Sequence, residues 1–543
     1  MKRAYLLPLL LLSPLACHDD SGSGVSYPSR HVLPIVALDD RVAYVDDNSG
    51  LAFLLNPAET ALRPRLVPTG KAPIVAEKRK GANNQLLVLT RGEPGSVGTE
   101  PEPAKLVLID PASAKPVGYD LPGRFDQLDQ SDDGRFALLS YGSASSGASG
   151  SMLYNPNDLA VVWLDGSQPL ASRPIRSLGS APIGVTFSPR ATLFGQERTL
   201  AVIWALNYVT LLDLDNPSHS EITIPLVPDG KYSVTPLQVL FDMSGPVIYV
   251  RADGSSDIFQ VSLAQGAPAD QPANSTSNDF HVSLSLLGSG STPSDMVTFD
   301  PGNGTGTRLA ITAPGTRQLV ILDPQTGNAT SVPTGAQVNR ILKFHGVRPG
   351  SSDPQVQEDQ ALLLGVGNGE TSVVFANLEK IETTRGLAIE SWSLPASVSD
   401  ITLLPGNIVL LTQKSGYGGA TFSIVKLDDR TIEPIGSNGA LAHATLETAA
   451  PSRLWGTDGG NRLEYLDLVG NLQGREVILD QTIVSITPLA APSGDGKRYV
   501  VLEMGDPSNV GYVTVLDAAQ PDRKGARSAC GFLLTDYLER GQP

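Results

Sequence analysis

Six histidines, His18, His31, His219, His281, His345 and His443, are the whole imidazole supply of the chain. No two stand four residues apart, as a helical zinc site requires. The sequence also lacks His-Glu-x-x-His, Cys-x-x-Cys and the Gly-x-Ser-x-Gly turn of an α/β hydrolase. Acidic pairs are commoner: Asp39/Asp40, Asp46/Asp47, Asp132/Asp133 and Asp428/Asp429. Neighbours on a strand point to opposite faces, so such pairs do not converge on one substrate. The turns DDNSG (46–50) and DLDNP (213–217) offer oxygens to a Ca2+ ion, though neither is a full EF-hand loop. No other cofactor is expected. Aromatic side chains give a binding chemistry instead. Trp392 in ESWSLP and Trp455 in SRLWGTDGG lie near strand ends and could stack on a sugar ring, while Trp163 and Trp204 sit inside apolar strands and should pack between sheets.

Cys17 is the residue with the sharpest covalent chemistry. It follows Lys2, Arg3 and the apolar stretch AYLLPLLLLSPLA, which is too short to span a bilayer. SPLAC resembles the lipobox of bacterial lipoproteins, with Ala16 before the cysteine whose thiol receives a diacylglyceryl group. Residues 1–16 are therefore expected to be a signal peptide. Residues 17–31 then form the lipid-anchor cysteine and a flexible tether, rich in Gly and Ser. The resemblance implies a bacterial envelope location, at the outer membrane or cell surface, with a secreted or periplasmic soluble form as the alternative. Cys530, beside Phe532, Leu533 and Leu534, reads as a small buried hydrophobe.

What positions such groups is a repeated sheet. Hydrophobic residues make up 41% of 543 and charged residues 18%, enough apolar material for a core. The 54 glycines and 42 prolines point to many turns between short strands. A net charge of −16 with no basic block excludes nucleic acid as a partner.

One phrase recurs at intervals of roughly 40–60 residues: an apolar strand ending in Asp or Asn, then a turn. Its copies are LVLID at Asp110, VVWLD at Asp165, VTLLD at Asp213, LVILD at Asp323, SIVKLD at Asp428, LEYLD at Asp467 and VTVLD at Asp517. Weaker copies are AFLLN at Asn56, FQVSL around Ser262 and VVFAN at Asn377. The recurring Asp reads as turn chemistry, accepting backbone N–H groups ahead of it. Gly134 in SDDG and Gly327 in LDPQTG are expected to close turns. This pattern predicts an all-β chain: a single large β-propeller of four-stranded blades over 32–525, with seven to ten blades. Residues 526–543 would be a tail or closing strand, and two smaller propellers are the alternative.

Residues 308–344, with PIGVTFSPR and SDDGRFALL, resemble the repeat of YVTN-type bacterial surface propellers and of quinoprotein amine dehydrogenase-like propellers. The resemblance implies a toroid of four-stranded blades outside the cytoplasm. Polar stretches at 91–103, 142–157, 264–294 and 346–359 should project from a face, so Tyr154, Phe280 and His281 could carry a binding surface. The expected role is binding or scaffolding of a partner protein, envelope component or surface glycan. The alternatives are a hydrolase or lyase working in the central channel, and a structural subunit of an outer-membrane complex.

Overall fold

The computed structural model describes residues 31–530 and 533, apart from 82–83, 96–99, 143–154, 156, 175–180, 217–218, 267–278, 303, 305, 348–356, 415–419, 436–440, 448–451, 469–473 and 507–508. Ten antiparallel four-stranded sheets follow one another, over 36–68, 73–120, 127–174, 184–225, 235–288, 295–333, 340–393, 398–434, 443–478 and 483–530. They are blades 1 to 10 of a β-propeller. Every blade pairs its strands in chain order; among the described residues, blade 4 alone carries an added hairpin (Ala191–Leu193 with Gln196–Arg198) between its first two strands.

The middle strands read as continuous apolar runs because both faces of each sheet are covered. In the second strand of blade 2, Leu86 and Val88 pack towards blade 1, while Leu87 and Leu89 pack towards blade 3. The same division of alternate residues gives ten buried clusters, one between each pair of neighbouring blades. The last joins Tyr44 and Phe53 of blade 1 to Tyr499 and Val513 of blade 10, so the ring closes as one propeller. Each blade is built from contiguous chain, and Arg527–Cys530 is the outer strand of blade 10. Among the described residues, closure rests on side chains and on loop contacts such as Ala491 N–H to the Asp39 carbonyl at 2.8 Å, not on a strand borrowed from the other end.

The recurring Asp or Asn ends the third strand, or directly follows it, in seven of the ten blades, and Asp165 and Asp428 lie two residues past it. Asp110, Asp165, Asp213, Asp323, Asp517 and Asn56 each accept the backbone N–H two residues ahead, at 2.8–3.2 Å. Gly134 and Gly327 adopt φ of 67° and 73° in their turns. An arginine from the corner before or at the second strand often completes the arrangement. Arg198 meets Asp213 at 2.6 Å and Arg308 meets Asp323 at 3.4 Å. Similar arginines reach the next blade, as Arg41 does to the Pro111 carbonyl at 2.6 Å and Arg79 to that of Gly134 at 2.7 Å.

Two expected inserts shrink. Phe280–Gly288 is the outer strand of blade 5, paired along its length with Asp257–Gln265. Phe280, Val282 and Leu284 alternate on the face packed towards blade 4, which is why a polar stretch still forms sheet. Likewise Arg340–Val347 and Gln357–Leu364 extend blade 7 into the 346–359 stretch.

Candidate channel-wall site

The first strand of each blade is the inner one. These strands are stitched together by side chains: Gln130 Nε2 of blade 3 donates to the Lys78 carbonyl of blade 2 at 3.2 Å. Gln238 Nε2 of blade 5 donates to the Met296 carbonyl of blade 6 at 2.9 Å, and Asp295 Oδ2 accepts the Ile341 N–H of blade 7 at 3.0 Å. Inner strands of blades 2, 5, 8 and 10 carry bulges at Ile74, Leu237, Ser399 and Val484, which bend the strand and re-aim its side chains.

Between the inner strands of blades 3 (Gln127–Gln130) and 4 (Gly184–Phe187) runs a slot made of two recesses, about 310 and 220 Å³, with Asp129 lining both. Its apolar wall is Leu128, Ile183, Val185 and Phe187. Its polar groups are Glu77 and Lys80 of blade 2 with Asp129, Gln130 and Asp132 of blade 3. Burial pushes the Asp129 carboxyl up to about 6, the Glu77 charge adds to the rise, and Lys80 partly opposes it. Gln130 fixes the surroundings, donating to Glu77 Oε2 at 3.0 Å and accepting the Lys80 N–H at 3.0 Å. Lys80 Nζ lies 3.0 Å from Asp132. The slot thus holds a carboxyl raised to about 6, two further carboxylates from Glu77 and Asp132, the Lys80 ammonium and an apolar wall. Such a set can receive an amine or guanidinium, or exchange a proton with a bound ligand.

The aromatic residues singled out by sequence are not brought together. Trp455 is wholly buried between blades 9 and 10, stacked on Tyr465 with centroids 5.3 Å apart. Its Nε1 donates to Glu447 Oε2 at 3.0 Å. No face of it is open to a sugar, a correction that follows from its place at the centre of the second strand. Trp392 packs on the cluster between blades 7 and 8, edge-on to Phe375 at 6.3 Å, so it too serves an interface. Trp163 and Trp204 lie between blades as expected. Phe280 is 2% exposed, stacked against Phe194 with Arg198 over its ring, and is core rather than binding surface. His281 is partly exposed and lies 3.2 Å from the Gly266 carbonyl. Cys17 and Tyr154 lie outside the described residues.

Of the turns suggested for Ca2+, Asp213 Oδ2 already meets Arg198, Asn216 Nδ2 and His219 Nδ1. Asp46 is engaged by Asn48 and Ser49. Among the described residues no three His, Cys, Asp or Glu side chains are grouped to hold a metal ion. No helix among them is long and apolar enough to cross a membrane.

Asp129 was not singled out by sequence. DQLDQ (126–130) looks like a short polar turn until its strand is known to line the channel; the available signal was an acidic residue between Leu128 and Gln130 in the first strand of a blade.

No protein-family model matches the chain, and no curated protein matches it. Among solved structures, it is similar to the dihydro-heme d1 dehydrogenase NirN in complex with DHE, at 11% identity and a TM-score of 0.39, covering 83% of this chain and 75% of that one. A eukaryotic initiation factor gives 13% and 0.40, covering 76% and 88%. Apo AztD from Citrobacter koseri gives 13% and 0.28, covering 62% and 82%. At these scores the likenesses carry no argument about function.

Proposed function

We propose that this chain is a lipid-anchored propeller of the bacterial cell envelope that binds a partner protein or other envelope component through the wall of its channel. The observation that carries the reading is the half-buried carboxyl of Asp129, set between an apolar wall and the Glu77 carboxylate. A basic group with an aliphatic stem, such as a lysine or arginine side chain of the partner, suits that slot. The anchor rests on the lipobox resemblance at Cys17, and the net charge of −16 favours a basic partner over an acidic one.

Affinity capture from detergent-solubilised envelopes tests it, with the wild type, Cys17→Ala and Asp129→Asn as baits. The wild type is expected to carry acyl mass on Cys17 and to retain a partner. Cys17→Ala should leave the membrane fraction yet keep the partner, and Asp129→Asn should stay anchored and lose it. An unmodified Cys17 rejects the anchor, and an Asp129→Asn capture identical to wild type rejects the slot.

A second reading has its own observation. One carboxyl raised to about 6 beside another carboxylate is also an acid–base pair, as a hydrolase or lyase would use. New products from envelope polysaccharides with wild type, absent with Glu77→Gln and with Asp129→Asn, would select it over binding alone.

A further inference from the structure

The interface of blades 5 and 6 encloses another recess, about 410 Å³, at the turns between first and second strands. It opens on the same face of the disc as Lys80 and Asp132, because those turns repeat on one side in every blade. Its floor is a cross-strand pair of blade 5, Tyr249 opposite Gln260. Tyr249 is 2% exposed and its ring belongs to the cluster shared with blade 6, yet its hydroxyl lines the recess and pairs with no described residue. Gln260 Oε1 is buried and also unpaired, while its Nε2 donates to Ser262 at 3.3 Å. The Gln260 oxygen is cut off from bulk water while the Tyr249 hydroxyl beside it reaches the recess, so an acceptor that is costly to leave unpaired stands next to a donor open to a ligand.

The rim adds Asp242 and Ser244 from blade 5 and Asp300 and Thr307 from blade 6. Burial pushes the Asp242 carboxyl up, but hydrogen bonds from the Ser244 and Thr307 side chains outweigh it and keep the group below its ordinary value. Asp300 Oδ1 accepts the Gly302 N–H at 2.9 Å. A phosphate or carboxylate ligand is repelled by these two carboxylates. An ammonium or guanidinium has donors only and leaves the Tyr249 hydrogen unserved. A sugar hydroxyl both donates and accepts, so one hydroxyl can serve Tyr249 and Gln260 together, and a neighbouring one can donate to a rim carboxylate. The volume suits a ligand of one or two rings.

We propose that the recess between blades 5 and 6 is a binding site for a neutral saccharide unit, with Tyr249 and Gln260 holding one hydroxyl and Asp242 or Asp300 a second. It is separate from the slot around Asp129, and either can fail without the other.

The test uses the full chain in detergent on an array of neutral glycans, with hits measured by saturation-transfer NMR and with cadaverine and inorganic phosphate as comparison solutes. At least one neutral glycan should bind, and neither comparison solute should displace it. Tyr249→Phe keeps the ring but cannot pair, so glycan affinity should fall about tenfold or more while the Tm of the sugar-free protein holds or rises. Gln260→Leu should weaken the same glycan. The proposal is overturned if no neutral glycan binds the wild type, if Tyr249→Phe binds as wild type does, or if cadaverine binds in place of sugars. It is also overturned if Tyr249→Phe lowers the Tm, since that would mean the hydroxyl serves the fold.

Discussion

Arg527, on the last strand of the propeller, donates through Nη1 to the backbone carbonyl of Glu59 at 2.9 Å, and through Nη2 to that of Pro57. The guanidinium also sits 5.3 Å from the centroid of the Tyr499 ring. One side chain therefore joins the third-strand turn of blade 1 to the outer strand of blade 10. Blades 1 and 10 are neighbours in the ring but lie at opposite ends of the chain, so this clasp holds the seam where the ring closes.

Arg527→Ala should cost about 2–3 kcal/mol, since two hydrogen bonds from a charged donor are lost. Arg527→Lys should recover little, because a point charge does not match two carbonyls as the planar fork does. Hydrogen exchange is the readout: protection should fall first in blades 1 and 10. Unchanged protection there, or equal loss in blade 5, would count against a closing role.

The pair Arg198 and Asp213 is almost wholly buried, with Arg198 at 0% exposure and the carboxylate 2.6 Å away. Asp213→Ala removes one of two carboxylates from a buried guanidinium, leaving Asp279 and Gln196 on it, and should cost about 2–3 kcal/mol by urea unfolding. Asp110→Ala, at an exposed turn of the same design, should cost about 1 kcal/mol or less. Equal costs at the two positions would show that burial of the pair is irrelevant.

Asp129 makes stability depend on pH in the sense opposite to a salt-bridged carboxylate. Its folded value of about 6 lies above the ordinary aspartate value of 3.8, so the folded state gains by holding the proton at low pH. That gain is complete below about 4 and is lost as pH rises through about 6. Asp129→Asn should therefore match wild type near pH 4 and exceed it above pH 6 by about 1–3 kcal/mol, after allowance for partial exposure. Melting curves of both proteins from pH 4 to 8 decide it; a constant difference across that range would sink the assignment.

Trp455 should behave as a structural residue. Trp455→Ala should cost about 3–5 kcal/mol from the cavity alone. Trp455→Phe fills most of the space but leaves Glu447 Oε2 without its indole donor, in a carboxyl that burial already pushes up. Its fluorescence, taken as the difference between wild type and Trp455→Phe, should resist iodide quenching and be unaffected by any glycan. Quenching would put the ring at a surface.

The architecture was legible in sequence because it is made of local events repeated. A strand covered on both faces must be apolar throughout, and its turn needs an Asp or Asn to accept the next N–H groups; both leave a mark every fifty or so residues. All ten marks, Asn56 to Asp517, fall in or just after third strands or within one, as Ser262 does. Even the outer strand at Phe280–Gly288 had its alternation on display, hidden only by the polar stretch before it. The sequence alone thus settled the unit and its order. It could not settle that all ten units share one ring, since closure depends on Tyr44 meeting Tyr499 and on Arg527 reaching Glu59 across nearly the whole chain. Nor could it pick Asp129 over Asp132, or Tyr249 over Trp455. Exposure and proton affinity belong to what the neighbouring blade places opposite a residue, and that neighbour is fixed by packing in three dimensions rather than by the residues on either side.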